Sequence, residues 1–79
     1  MKRVTLTAVI WREGTAYVSH CPELGVASCG DSWDHALAML KEAVGLYLDN
    51  AVQLGICEDI EAALNSPHRF TTPLEVTLP

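Results

Sequence analysis

The chain has 79 residues, which is enough for one small domain. Hydrophobic residues make up 49% of it, and this content excludes a disordered polypeptide. Ten acidic residues face only five basic ones, and the basic residues never cluster. Because affinity for phosphate needs a basic patch, we expect no direct nucleic-acid binding by this chain alone. A basic protein partner suits the charge better.

The start of the sequence indicates neither secretion nor membrane insertion. Its apolar run is short and broken by threonines, and no apolar run approaches the length of a bilayer span. Three cysteines are an odd number, so we expect free thiols in a reduced cytoplasmic protein, with a disulfide between Cys21 and Cys29 conceivable only under oxidising purification. Such apolar content on a small body favours a homo-oligomer, in which a second subunit covers part of the surface.

Two strands are predicted in the first 21 residues. Residues 3–12 alternate with period two, so that Val4, Leu6, Ala8 and Ile10 share one face and Val9 and Trp11 lie on the other. Residues 12–14 form a polar turn containing a glycine, and residues 15–21 continue as a second strand. The pair predicts an antiparallel hairpin.

A third strand follows a short turn. Pro22 cannot donate a ladder hydrogen bond and ends the second strand, residues 22–25 form the turn, and residues 26–29 form the next strand. A two-stranded hairpin is too weak alone, so the third strand and a covering helix are needed.

The most regular stretch spans residues 30–54 and predicts an amphipathic helix. Asp31 and Ser32 are both strong N-cap types, Asp34 suits the helix dipole, and Gly55 ends the run. Gly45 costs about 1 kcal/mol relative to alanine in a helix interior, so we expect a bend or a close backbone there. Apolar residues recur with helical spacing and should meet the sheet: Ala36, Leu37, Leu40, Ala43, Val44, Tyr47, Leu48 and Ala51.

Residues 58–64 predict a second, short helix. Residues 70–78 alternate again, and Pro73 near their start indicates an edge strand, paired within the chain or with a neighbouring subunit. The predicted fold is α+β: a three-stranded antiparallel meander packed on one long helix, then a short helix and a final edge strand (β-β-β-α-α-β), in a single domain covering residues 1–79.

No catalytic, cofactor or metal site is predicted. His20, Cys21 and Cys29 lack zinc-ligand spacing and a fourth ligand. Ser19, His20 and Cys21 point alternately to opposite faces, so neighbours cannot form a dyad. Asp31 and Asp34 are better explained as a helix cap and as dipole compensation than as metal ligands.

Two sets of residues are candidates for protein contacts. The turn residues Pro22, Glu23 and Leu24 either simply join two strands or contact a partner, with Glu23 meeting a cation. Val9 and Trp11 on an exposed sheet face are candidates for a subunit contact. Trp33 in the first helical turn is either a contact onto the sheet or an exposed anchor, and we expect it to pack onto the sheet.

The order of these signals resembles the HicB family of antitoxin-like proteins. Residues 4–48 carry the resemblance, and no single tetrapeptide in them is diagnostic. The similar positions are Thr7-Ala8-Val9-Ile10, Tyr17-Val18, Cys21-Pro22-Glu23-Leu24, Gly30-Asp31-Ser32, Ala36, Leu40 to Ala43, and Leu46-Tyr47-Leu48; the tail, with Leu74-Glu75-Val76, is similar to the closing strand of short members.

The resemblance implies a partial RNase H-like domain without the acidic metal site, acting as the antitoxin that blocks a small basic RNA-cleaving toxin of HicA type. Two features depart from the family. The sequence ends at Pro79 without a C-terminal DNA-binding module, so we expect no direct operator binding, and Gly45 stands where a good helix former is usual. The alternative is an orphan oligomeric scaffold or a small-ligand-binding protein without a toxin; a degenerate RNase H-like hydrolase ranks third.

Overall fold

The computed structural model describes residues 4–55 and 70–79. Three strands form one antiparallel sheet in the order β1-β2-β3, and a single long helix packs across one face, chiefly over β3 and β2. This arrangement confirms the predicted α+β class and the meander followed by a long helix. The elements in chain order are β1 (Val9–Glu13), β2 (Ala16–Cys21), β3 (Val26–Gly30) and α1 (Trp33–Leu54).

A two-residue loop connects β1 and β2. Glu13 pairs with Ala16, so the loop consists of Gly14 and Thr15, whereas the predicted turn covered residues 12–14. Gly14 has φ 61°, a left-handed conformation that two-residue hairpin loops require and that glycine adopts without strain.

The first strand is shorter than predicted at its beginning. The ladder starts where Val9 pairs with His20, whereas residues 4–8 carry no strand assignment. The reason lies in the facing chain, which turns away at Pro22. The Cys21 carbonyl accepts hydrogen bonds from the amides of Leu24 (3.3 Å) and Gly25 (2.9 Å), and these bonds close the turn. Ala8 lies opposite Cys21, the last residue of β2, and residues 4–7 therefore have no β2 residues to pair with.

Both ends of α1 are capped as the sequence indicated. Ser32 is the N-cap, and its Oγ accepts a hydrogen bond from the His35 amide at 3.1 Å. Gly55 is the left-handed C-cap with φ 73°. The predicted capping role of Asp31 is wrong, because the Ser32 side chain occupies the N-cap position; the Asp31 amide donates to His35 Nδ1 at 3.0 Å.

The tightest contact between sheet and helix lies at Ala36. Ser19, completely buried on β2, donates its hydroxyl hydrogen to the Ala36 carbonyl oxygen at 2.8 Å. A Cβ placed on Gly30 would lie only 2.5 Å from the Ala36 backbone nitrogen. Glycine at the end of β3 therefore lets the helix backbone approach the strand, and Ala36, Leu40 and Ala51 become buried.

Four further expectations, two about packing and two about the C-terminal elements, have different outcomes. Trp33 is 58% exposed, so its predicted packing onto the sheet is wrong; the helix first meets the sheet one turn later, at Ala36. Gly45 causes no break in α1, and no described atom comes within 4 Å of a Cβ built there. The predicted helix over 58–64 lies outside the described residues, and residues 70–79 are exposed and carry no strand assignment.

We predict opposite effects for alanine at two glycines. Gly30→Ala should destabilise the fold by about 1–3 kcal/mol, because the new methyl group meets backbone atoms that cannot yield easily. Gly45→Ala should stabilise it by about 0.5–1 kcal/mol, since the site is helical and open. Urea unfolding followed by circular dichroism measures both. Equal effects of the two substitutions would contradict the close contact at Gly30.

Candidate partner-binding surfaces

The turn between β2 and β3 is tied to residues 4–8 by Glu23. Its carboxylate accepts hydrogen bonds from the Thr7 amide, at 3.1 and 3.0 Å to its two oxygens, and from the Thr7 hydroxyl at 2.7 Å. The Cys21 thiol donates to the same carboxylate at 3.5 Å. A side-chain clamp therefore replaces the ladder hydrogen bonds that the turn interrupts.

The clamp shifts two pKa values in opposite directions. Burial is the largest influence on Glu23 and opposes ionisation. The hydrogen bonds from the Thr7 hydroxyl, backbone amides and the Cys21 thiol together outweigh burial, so the Glu23 pKa is lowered. Burial raises the pKa of Cys21, and the adjacent Glu23 carboxylate adds to this increase. The fold therefore favours a charged carboxylate beside a neutral thiol.

This geometry bears on the predicted partner contact at residues 22–24. Pro22 is exposed, whereas Glu23 and Leu24 are half-buried. Because Glu23 accepts hydrogen bonds within the chain, its described role is to position the turn. Contact between this turn and a partner stays a prediction, with Pro22 as its most accessible residue.

The sheet face opposite α1, here called the outer face, is largely apolar. Val9 and Trp11 are 44% and 41% exposed, as expected of residues that project away from the helix. The Trp11 indole nitrogen donates to Glu13 Oε1 at 3.0 Å, which orients the ring along β1. Strand register places the following residues on this face: Val9, Trp11, Glu13, Ala16, Val18, His20, Ala27 and Cys29.

On the helix side, an open apolar cleft of about 670 Å³ separates residues 4–8 from α1. The predicted contact between the Val4/Leu6/Ala8 face and the helix stripe is therefore incomplete. Lys41 contributes the only charged side chain among the described lining residues. The lining consists of Val4, Leu6, Thr7, Ala8 and Cys21 from the strand side, and Leu37, Leu40, Lys41, Val44, Gly45 and Leu48 from the helix.

The described cysteines, Cys21 and Cys29, are free thiols on opposite faces of the sheet. Cys21 pairs with Val26 and is buried towards the helix, whereas Cys29 pairs with Val18 and is exposed. The conceivable disulfide between them is therefore wrong for this fold. Within residues 4–55 and 70–79, no group of three or more histidine, cysteine or carboxylate side chains could hold a metal ion.

Sequence reasoning missed the clamp and the cleft. Threonine is a common residue type in strands, so Thr7 does not stand out in the sequence. Only the hairpin register shows that it lies beside the turn containing Glu23. Leu37 was expected to be part of a packed stripe but is 39% exposed at the cleft. The early end of the ladder, set by Pro22, is the signal that could have indicated both.

Comparisons of the chain with protein-family models, curated proteins and solved structures found no match. No helix in the described part of the chain has the length and apolar character needed to cross a membrane.

We predict that Glu23→Gln makes stability less dependent on pH. At pH 7 the variant should be less stable by about 1 kcal/mol, a value kept low because the site is partly solvated. The folded-state pKa lies below the ordinary value of 4.5, so the ionised carboxylate contributes stability above pH 4.5, and this contribution is lost as the pH falls through the folded-state pKa. Urea unfolding at pH 7, 5 and 3.5 tests this.

The matched control is Glu42→Gln, which removes an exposed carboxylate from α1. It should change stability by less than about 0.5 kcal/mol. The free energies of unfolding of the wild type and the Glu23 variant are compared at pH 7 and pH 3.5. If their difference is the same at both pH values, the charge of the Glu23 carboxylate contributes nothing to stability.

Proposed function

We propose that this chain is a HicB-like antitoxin, a protein-binding module that occludes a small basic RNA-cleaving toxin of HicA type. The observation that carries the proposal is the realised order of elements: β2, the turn with Cys21-Pro22-Glu23-Leu24, β3, the Ser32 cap and α1. These are the segments on which the resemblance rests. The chain acts by covering a surface, and it performs no chemistry of its own.

Charge supports this mode of binding. The net charge of −5 would attract a basic toxin, and electrostatic complementarity chiefly increases association rate and specificity. The acidic surface would compete with RNA for the basic side of the toxin. A reduced cytoplasmic setting suits the two described free thiols and is part of the proposal.

The proposal assigns separate roles to two surfaces. The turn at Pro22, Glu23 and Leu24 contacts the toxin, with the exposed Pro22 at its centre. Val9 and Trp11 on the outer face form a subunit contact, because exposed apolar side chains on a flat sheet face favour association. The finer architecture in the proposal adds a short helix over 58–64 and a final edge strand over 70–78.

A second candidate function is supported by the apolar cleft. A cavity of about 670 Å³ lies within the size range of small-ligand sites, so an orphan scaffold or ligand-binding protein is the alternative. Genome context separates the two. A short basic reading frame beside this gene favours the antitoxin, and its absence favours the orphan.

We predict that co-expression with such a neighbouring frame rescues growth and yields a co-purifying complex. Pro22→Lys should weaken toxin binding about tenfold, because it places a cation at the contact with a basic partner. Isothermal titration calorimetry at 50 and 300 mM salt measures the affinity, and the loss should shrink at the higher salt concentration.

The control is Gln53→Lys, which makes the same charge change on an exposed residue near the end of α1. It should alter affinity less than about threefold, as expected for a screened charge away from the contact. Equal losses in the two variants would mean that net charge, and not the turn, determines binding. Absence of any growth rescue and any complex would refute the antitoxin function.

A further inference from the structure

The cleft between residues 4–8 and α1 has the size and the gradient of burial of a small-molecule site. Its volume is about 670 Å³, and such sites commonly measure roughly 300–1,000 Å³ and bind mainly through apolar side chains. Cys21 and Leu40, which are 1% and 3% exposed, form its buried part. Leu37 and Lys41 are exposed and form its mouth. The cleft therefore extends from buried apolar side chains to the solvent.

The polar groups on the strand side of the cleft already have partners. The Thr7 hydroxyl and the Cys21 thiol both donate hydrogen bonds to the Glu23 carboxylate. Because these groups stand between Glu23 and the cleft, the negative charge behind this wall repels any second negative charge. An occupant of the cleft therefore presents apolar groups to the strand side.

The helix side carries one cation. Lys41 is the only charged side chain among the described lining residues, and within residues 4–55 and 70–79 no carboxylate forms an ion pair with it. Ion-pair partners on a helix lie three or four residues away. The residues at these distances from Lys41 are all uncharged: Leu37, Ala38, Val44 and Gly45. The Lys41 ammonium group therefore suits an anion that enters the cleft.

Gly45 leaves space beside Lys41, about one helical turn further along α1. It lines the cleft, and no described atom comes within 4 Å of a Cβ built there. Alanine would make the helix more stable, so packing within the described chain gives no reason for glycine at this position. A ligand gives one, because a side chain here would narrow the cleft next to its only described cation.

We propose that the cleft binds a free fatty acid, an apolar single-chain monocarboxylate, with its carboxylate at Lys41 and its acyl chain along the apolar lining. The charged end lies at the exposed mouth, where it stays partly hydrated, and the chain covers Leu40 and Val44 and passes Gly45. The proposal rests on the second candidate function, ligand binding in the cleft, and names the class of ligand. It does not depend on the antitoxin function.

A free acid is favoured over the anionic surface of a lipid bilayer. The chain has a net charge of −5, so a surface of like charge repels it. Attachment to anionic membranes uses clusters of basic residues, whereas the basic residues of this sequence are scattered. A ligand with one carboxylate needs only the one cation that the cleft provides.

The first test titrates the ¹⁵N-labelled full chain with decanoate, 1-decanol and decylammonium, each below its micelle concentration. Amide chemical shifts report both the affinity and the position of binding. Decanoate should bind saturably, with the largest shifts at Thr7, Lys41 and Gly45. It should bind at least about threefold more tightly than decylammonium, although the net charge of −5 favours the cation. Phosphatidylglycerol vesicles should not sediment with the protein.

The possible failures of this test are distinguishable. If 1-decanol binds in the cleft and decanoate does not, ligand binding stands and the anionic ligand is wrong. If none of the three probes binds, both the ligand-binding function and its ligand class are wrong. Decanoate shifts confined to the outer face, tighter binding of decylammonium, or vesicle binding without decanoate binding would each overturn the proposal.

The second test removes the cation. Lys41→Met should weaken decanoate binding about three- to tenfold and change 1-decanol binding less than about twofold, because it removes the charge and keeps an apolar stem. Lys41→Arg keeps the charge and should retain the affinity for decanoate. Arg12→Met is the matched control, the same charge change on an exposed residue outside the lining, and should have less than about a twofold effect. Identical effects of the two methionine variants would contradict the assigned role of Lys41.

The third test fills the space at Gly45. Gly45→Leu should weaken the binding of decanoate and 1-decanol at least about fivefold, because the added side chain occupies the path of the acyl chain. Ala38→Leu is the matched control on an exposed helix residue that does not line the cleft, and it should leave both affinities unchanged. Circular dichroism checks that each variant remains helical. Unchanged affinity in a folded Gly45 variant would overturn the proposal. Toxin binding enters none of these measurements, so their outcome is independent of the antitoxin function.

Discussion

The close approach of α1 to the sheet at Ala36 determines the arrangement of everything else. Gly30 provides the space for the helix backbone, and the Ser19 hydroxyl satisfies a buried polar position while it bonds to the Ala36 carbonyl. A larger residue at either position would lift the helix from the strands. Because the contact lies at the end of β3 and on β2, it fixes the helix over that half of the sheet and leaves the β1 side uncovered.

A polar contact fixes the segment before β1, on the side of the sheet that α1 leaves uncovered. The ladder begins only at Val9, and in the segment before it the backbone and hydroxyl of Thr7 donate hydrogen bonds to the Glu23 carboxylate. The same carboxylate fixes the turn that follows Cys21. One charged side chain thus holds both a wall of the apolar cleft and the loop assigned to partner contact, and its lowered pKa shows that these interactions stabilise the ionised form.

Local signals predicted the elements, whereas close contacts could not be predicted. The Ser32 cap, the Gly55 end and the apolar spacing between them define α1 without reference to the rest of the chain. Gly30 and Ser19 act only through a neighbour that the fold brings near, so their roles depend on the hairpin register and the helix position. Trp33 illustrates the same limit, because its place in the first helical turn does not show whether the sheet reaches it, and it is 58% exposed.

Glu23 also links the surfaces to which the proposals refer. The cleft and the outer face lie on opposite sides of one sheet, so contacts at the two need not compete. The turn is different, because Thr7 and Cys21 both line the cleft and both donate to Glu23. A partner that displaces Glu23 must also break hydrogen bonds to the cleft wall, and an occupant of the cleft that holds Thr7 in place holds the turn as well. If a ligand in the cleft changes the affinity of the turn for a partner, then the partner must change the affinity of the cleft for that ligand by the same factor. Binding of a ligand in the cleft and binding of a partner at the turn would therefore be coupled through the Glu23 carboxylate.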